Sequence, residues 1–142
     1  MNNSRMDNGK ASKLTTIQHR SDFLLAASKG KKFIAGTFIL QMLGRRAEHP
    51  AATSAPRIGY TVTKKIGNSV IRNRTKRRLR EAVRKAALPH MLAGHDYVVI
   101  SRHKAIDCPF SDLLRDMEFA FSRIPYIKDS QPTNKQAKPK QN

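Results

Sequence analysis

Between residues 69 and 87, apolar or weakly polar residues recur at three- and four-residue spacing. Ile71, Thr75, Leu79, Ala82, Val83 and Ala86 make one stripe, the signature of a helix with a single buried face. The remaining arcs are cationic: Arg72, Lys76 and Arg80 follow at i, i+4, while Asn73, Arg77, Arg84 and Arg74, Arg78, Lys85 fill neighbouring rows. Upstream, Arg57–Thr63 alternates, with Ile58, Tyr60 and Val62 on one side and Arg57, Gly59, Thr61 and Thr63 on the other, which predicts a strand with one core face. Gly67 breaks that strand. Asn68 or Ser69 can cap the basic helix, which is expected to run to about Ala87, where Pro89 forbids continuation.

The same reading places a short helix from Ser21 or Asp22 to about Ser28, ended by Gly30, and one strand over Phe33–Leu43. Gly44–Pro56 reads as a loop in which Arg45 and Arg46 are exposed. Tyr97–Ile100 is a short apolar strand. Phe110–Arg123 is an amphipathic helix with Leu113, Leu114, Met117, Ala120 and Phe121 inward and Asp112 and Asp116 on its solvated side. The order α-β-β-(β)-α-β-α predicts an α/β (α+β) two-layer sandwich with a small sheet. Residues 14–124 are expected to form a single domain, flanked by a flexible tail at 1–13 and a flexible basic tail at 125–142 that carries Lys128, Lys135, Lys138 and Lys140.

Charge turns this outline into a functional expectation. Ten of the 28 Lys and Arg residues fall between Lys64 and Lys85, with Glu81 the sole acid there, and the chain carries a formal charge of +18. Counterion release then favours a phosphate-rich partner. No run approaches the ~18–20 apolar residues of a spanning helix, and no signal-peptide pattern is present, so a soluble cytoplasmic protein without a membrane partner is expected. The lone Cys108 has no partner for a disulfide or a zinc set. His19, His49, His90, His95 and His103 are scattered, and neither phosphate-cradling glycine motif occurs. No catalytic residue, metal site or small-molecule cofactor is therefore expected in the protein itself.

The stretch GYTVTKKIGNSVIRNRTKRRLREAVRK, Gly59–Lys85, resembles the protein subunit of bacterial ribonuclease P: a strand ending in Lys64-Lys65, a Gly67-Asn68 turn, and a helix opened by Arg72-Asn73-Arg74 and followed by Lys76-Arg77. Arg20, Asp22, Phe23, Gly30, Thr37–Leu40 and Asp96–Ile100 fall in the family's order, so the likeness spans about Leu14–Arg123. The resemblance implies a mixed sheet with a left-handed βαβ crossover, and a protein that binds ribonuclease P RNA and helps it remove the 5′ leader of precursor tRNA. Hydrolysis, with Mg²⁺, belongs to the RNA, and the protein raises substrate and Mg²⁺ affinity. It further implies that Lys64, Lys65, Arg72, Asn73, Arg74, Lys76, Arg77, Arg78 and Arg80 bind the RNA subunit. Guanidinium forks suit phosphates, and Asn can bridge a phosphate or a hydrated metal.

The leader is expected in a cleft between the sheet and the basic helix, at positions matching Phe23 and Phe38, with Arg57 and Tyr60 as further candidates. By the alternation, Arg57 and Tyr60 face opposite ways, so one of the two is expected to serve. Ala27 and Gln41 stand where family members often carry aromatics, which implies a smaller stacking platform. Three alternatives compete. A general RNA- or DNA-binding structural protein of ribosomal type would bind without stimulating cleavage. A self-sufficient protein nuclease lacks an assembled acid or His constellation. A membrane-surface module lacks interfacial aromatics on the stripe.

Overall fold

The computed structural model describes residues 14–45 and 55–127. Five strands form one mixed sheet: β1 (Thr15–Thr16), β2 (Lys31–Ile34), β3 (Phe38–Gly44), β4 (Arg57–Thr61) and β5 (His95–Ser101), in the spatial order β1-β4-β5-β3-β2. Three helices accompany them: α1 (Arg20–Lys29), α2 (Ser69–Ala82) and α3 (Phe110–Arg123). β4 is parallel to both β1 and β5, while β3 is antiparallel to β5 and β2. Since β4 and β5 are parallel neighbours, the chain must cross over between them, and α2 is that crossover.

Strand alternation divides the sheet into two faces. Phe38, Leu40, Met42, Ile58, Tyr97 and Val99 share one face and are at most 5% exposed, packed with Leu79, Ala82 and Val83 of the α2 segment and Leu113, Met117 and Phe121 of α3. Each large side chain buried this way contributes about 1.5–3 kcal/mol, so this layer dominates stability. Tyr97 lies 5.2 Å from Phe121, and its hydroxyl accepts the Leu92 N–H at 2.9 Å, which satisfies the one polar atom on the ring. On the opposite face, among the described residues, α1 packs through Ala26 and Phe23 against Ile17, Val98, Leu43 and Ile100.

Several boundaries differ from the sequence reading. The single strand expected over Phe33–Leu43 is a hairpin, β2 turning at Ala35–Thr37 into β3, and the Ala35 N–H donates to Phe38 O at 2.9 Å. Asp116, expected on a solvated face, instead pins this turn by accepting the Thr37 hydroxyl at 2.7 Å and the Thr37 N–H at 3.3 Å. β1, two residues long, was invisible to periodicity. α1 begins at Arg20 without a side-chain cap. The basic helix passes from α form into a π turn at Val83–Ala87 and a 3₁₀ turn at Leu88–His90 that accommodates Pro89. The domain edge also lies later than 124. Ile124–Tyr126 form a 3₁₀ turn, and Lys31 Nζ donates to Pro125 O at 2.7 Å. The expectations for the tails at 1–13 and 128–142, and for Arg46 and His49, fall outside the described residues.

Candidate nucleic-acid interface

The interface is organised by the start of α2. Gly67 takes φ 154°, a conformation that side chains disfavour, and thereby turns the chain from the Lys64–Ile66 3₁₀ turn into the helix. Asn68 caps that helix, its Oδ1 accepting the Ile71 N–H at 2.9 Å. From here the expected stripe is observed: Thr75, Leu79, Ala82 and Val83 are buried and Ile71 and Ala86 half-buried, with the Thr75 hydroxyl donating to Ile71 O at 2.8 Å. Burial of this stripe fixes the rotation of α2. Asn73, Arg74, Arg77, Arg80, Arg84 and Lys85 are thereby exposed, with Lys64 and Lys65 exposed just before the helix and Arg72 and Lys76 half-buried at its sides.

Among the described residues, Lys64, Lys65, Arg72, Arg74, Lys76, Arg77 and Arg80 have no acidic partner. The one acid on the helix, Glu81, is held by Arg84 and, at 3.5 Å, by Lys85, and the Arg84 hydrogen bond keeps its carboxyl below the usual carboxylate range. Arg78 differs from its neighbours. It donates to Cys108 O and lies 5.9 Å from the Phe110 ring, so it braces the loop before α3 instead of presenting a free fork to solvent.

The four residues expected at the leader divide between the two sheet faces. Phe38 is fully buried in the main core, which removes it as a stacking surface. Tyr60 is half-buried on the same helical face, with the Arg80 guanidinium 5.9 Å from its ring, and burial pushes its hydroxyl pKa up. Phe23 and Arg57 lie on the α1 face. Phe23 covers Gly59 so closely that a Cβ there would fall 2.4 Å from the ring, so the missing side chain is what lets the aromatic lie over β4. The four candidates therefore do not line one surface: Phe38 and Tyr60 belong to the helical face, Phe23 and Arg57 to the α1 face.

Arg57 is committed to an ion cluster that sequence reasoning missed. Its Nε and Nη2 reach the two Asp96 oxygens at 2.8 and 2.7 Å, Asp22 of α1 lies 3.5 Å away, and Arg45 donates to the same Asp96 carboxylate. Arg45, expected to be exposed, has a side chain only 2% exposed. Burial disfavours the Asp96 charge, and the bonds and charges of Arg57 and Arg45 outweigh it, holding the carboxyl below its ordinary range. Arg57 thus anchors α1 and β5, which corrects its assignment to the leader. The signal available in sequence was an Asp opening an otherwise apolar strand, a residue rarely buried without a cation.

Among the described residues no three His, Cys, Asp or Glu gather where a metal could sit, and no helix is long and apolar enough to cross a membrane. What the surface offers is a row of unneutralised cations on one buried-stripe helix and an aromatic on the far side of the sheet. These features define a nucleic-acid-binding α/β protein. The family model described as ribonuclease P matches residues 12–125. The ribonuclease P protein component of Paramagnetospirillum magneticum is 44% identical over 114 residues, covering 80% of this chain and 85% of that protein, and its counterpart from Gluconacetobacter diazotrophicus is 46% identical over 101 residues, covering 71% and 83%. Among solved structures, the RNase P protein of Staphylococcus aureus superposes with TM-score 0.60 at 30% identity, covering 75% of this chain and 92% of that one. That of Thermotoga maritima gives 0.63 at 26%, covering 77% and 96%. The chain belongs to the ribonuclease P protein family, a subunit of the ribonucleoprotein endoribonuclease of tRNA processing.

Proposed function

We propose that the exposed cations of α2, with Lys64 and Lys65, hold the catalytic RNA, and that Phe23 on the opposite sheet face stacks a base of the single-stranded leader of precursor tRNA. The observation that carries this reading is the set of α2 cations with no acidic partner among the described residues, held on an arc whose rotation the buried stripe dictates. Arg72, Asn73, Arg74, Lys76, Arg77 and Arg80 supply phosphate forks and one amide, and Arg78 orients the helix through the Cys108 carbonyl. The RNA-binding unit runs from residue 14 through the Ile124–Tyr126 turn, the particle works in the cytoplasm, and the hydrolytic step with its Mg²⁺ belongs to the RNA. The donor set on α2, cations with a single Asn and a Glu81 already held by Arg84 and Lys85, does not suit a bare divalent ion. Any gain in Mg²⁺ affinity therefore arises from how the protein arranges RNA.

The test is cleavage of precursor tRNA at low Mg²⁺ with protein alone, a bacterial ribonuclease P RNA alone, and both together. Cleavage at the mature 5′ end only with both components is expected. Tight RNA binding without stimulation would favour a general RNA-binding protein, and cleavage by the protein alone would place the chemistry in its own side chains.

A further inference from the structure

On the helical face, the edge of the sheet and the α2 segment leave a groove of about 580 Å³, within the range of small-ligand sites. Leu14 and Leu88 form apolar walls, Tyr60 lies on its floor, and Arg77, Arg80 and Arg84 stand on its rim. Glu81, also lining it, is neutralised by Arg84 and Lys85, so the groove is cationic overall. Among the described residues neither Arg77 nor Arg80 has an acidic partner, and the Arg80 guanidinium lies 5.9 Å from the Tyr60 ring.

We infer that this groove seats one unpaired nucleotide of the catalytic RNA, its base against Tyr60 and the leucines and its flanking phosphates on Arg77 and Arg80. The inference deepens the proposed role of α2 and rests on it. An apolar floor beside unneutralised guanidinium groups matches the two halves of a nucleotide, a π face and an anion. The segment preceding Leu14 is a poor alternative occupant, because Arg5, Lys10 and Lys13 outnumber Asp7 there and meet the arginine rim with like charge. The leader is disfavoured because Phe23 lies on the other sheet face, over Gly59. Tyr60 thereby moves from the leader to the RNA subunit.

The chain contains no Trp, so Tyr60→Trp places a unique fluorophore on the groove floor, and Tyr126→Trp, at a side chain 88% exposed, is the control. Ribonuclease P RNA alone is expected to quench the indole at position 60 and shield it from acrylamide, leaving the control unaffected. Tyr60→Leu, which keeps an apolar floor, is expected to bind that RNA about fivefold to a hundredfold more weakly while melting like the parent protein. Unchanged emission and unchanged Tyr60→Leu affinity, with Arg74→Ala still weakening RNA binding, would overturn the groove and leave the role of α2 standing. Quenching only after precursor tRNA is added would assign the groove to the leader and overturn the inference. An unmodified protein that does not bind the RNA would remove both readings together.

Discussion

The two faces of the sheet come from the same alternating strands, yet one is closed and the other partly open. On the helical face, Phe38, Leu40, Ile58, Tyr97 and Val99 are at most 1% exposed beneath α2 and α3. On the other, one ten-residue helix covers part of the surface, leaving Ile39, Thr61 and Ile100 half-exposed and Ile34 63% exposed. The helical face holds the fold together, and the solvent side of α2 carries the cations proposed to hold the RNA. The α1 face contributes little to the core and keeps apolar surface available, with Phe23 held over Gly59.

This division can be broken most forcefully in the core. Phe121→Ala, removing a fully buried ring from α3, is expected to cost about 3–5 kcal/mol in denaturant unfolding, while RNA affinity per folded molecule stays the same. Asp96→Asn comes next. It removes one partner of a buried ion cluster, at an expected cost of about 3–5 kcal/mol near neutral pH. Because the folded Asp96 pKa is depressed, its contribution is present above the unfolded value near 3.9 and is lost as pH falls through the folded value. Unfolding curves from pH 6 down to pH 2 should therefore slope less steeply for Asp96→Asn than for the parent.

The smaller effects sharpen the contrast. Phe23→Ala is expected to weaken holoenzyme binding of precursor tRNA by about 1–3 kcal/mol relative to mature tRNA, read by competition binding; equal losses for both would make Phe23 only a packing residue. Arg74→Ala is expected to lower the log-log salt slope of RNA binding by about one. Without RNA it should raise the melting temperature slightly, since relieving like-charge repulsion along α2 is worth a few tenths of a kcal/mol.

Much of this was readable from pattern. The α2 stripe, the bounds of α3 at Phe110 and Arg123, the Asn68 cap and the opposite orientations of Arg57 and Tyr60 all follow from periods of 3.6 and 2 with local capping chemistry. What escaped depends on pairings between distant residues. Nothing local tells that Asp96 gathers Arg45 and Arg57, or that Asp116 reaches across to Thr37. The hairpin at Ala35–Thr37 was hidden because the residues on both sides share strand character, and only Gly36 hinted at a turn. Phe38 shows the limit of a resemblance: matching a family position could not decide between a platform and a core, whereas its complete burial does.

Whether opposite surfaces of the protein serve two different RNAs is decided by one pair of titrations on two variants. Affinity for ribonuclease P RNA and the precursor-to-mature tRNA binding ratio of the assembled holoenzyme would be measured for Arg74→Ala and Phe23→Ala. A clean crossing is expected, with Arg74→Ala losing RNA affinity but keeping the ratio and Phe23→Ala keeping RNA affinity but losing the ratio. Both variants losing both quantities, at unchanged thermal stability, would contradict the division of labour between the two faces.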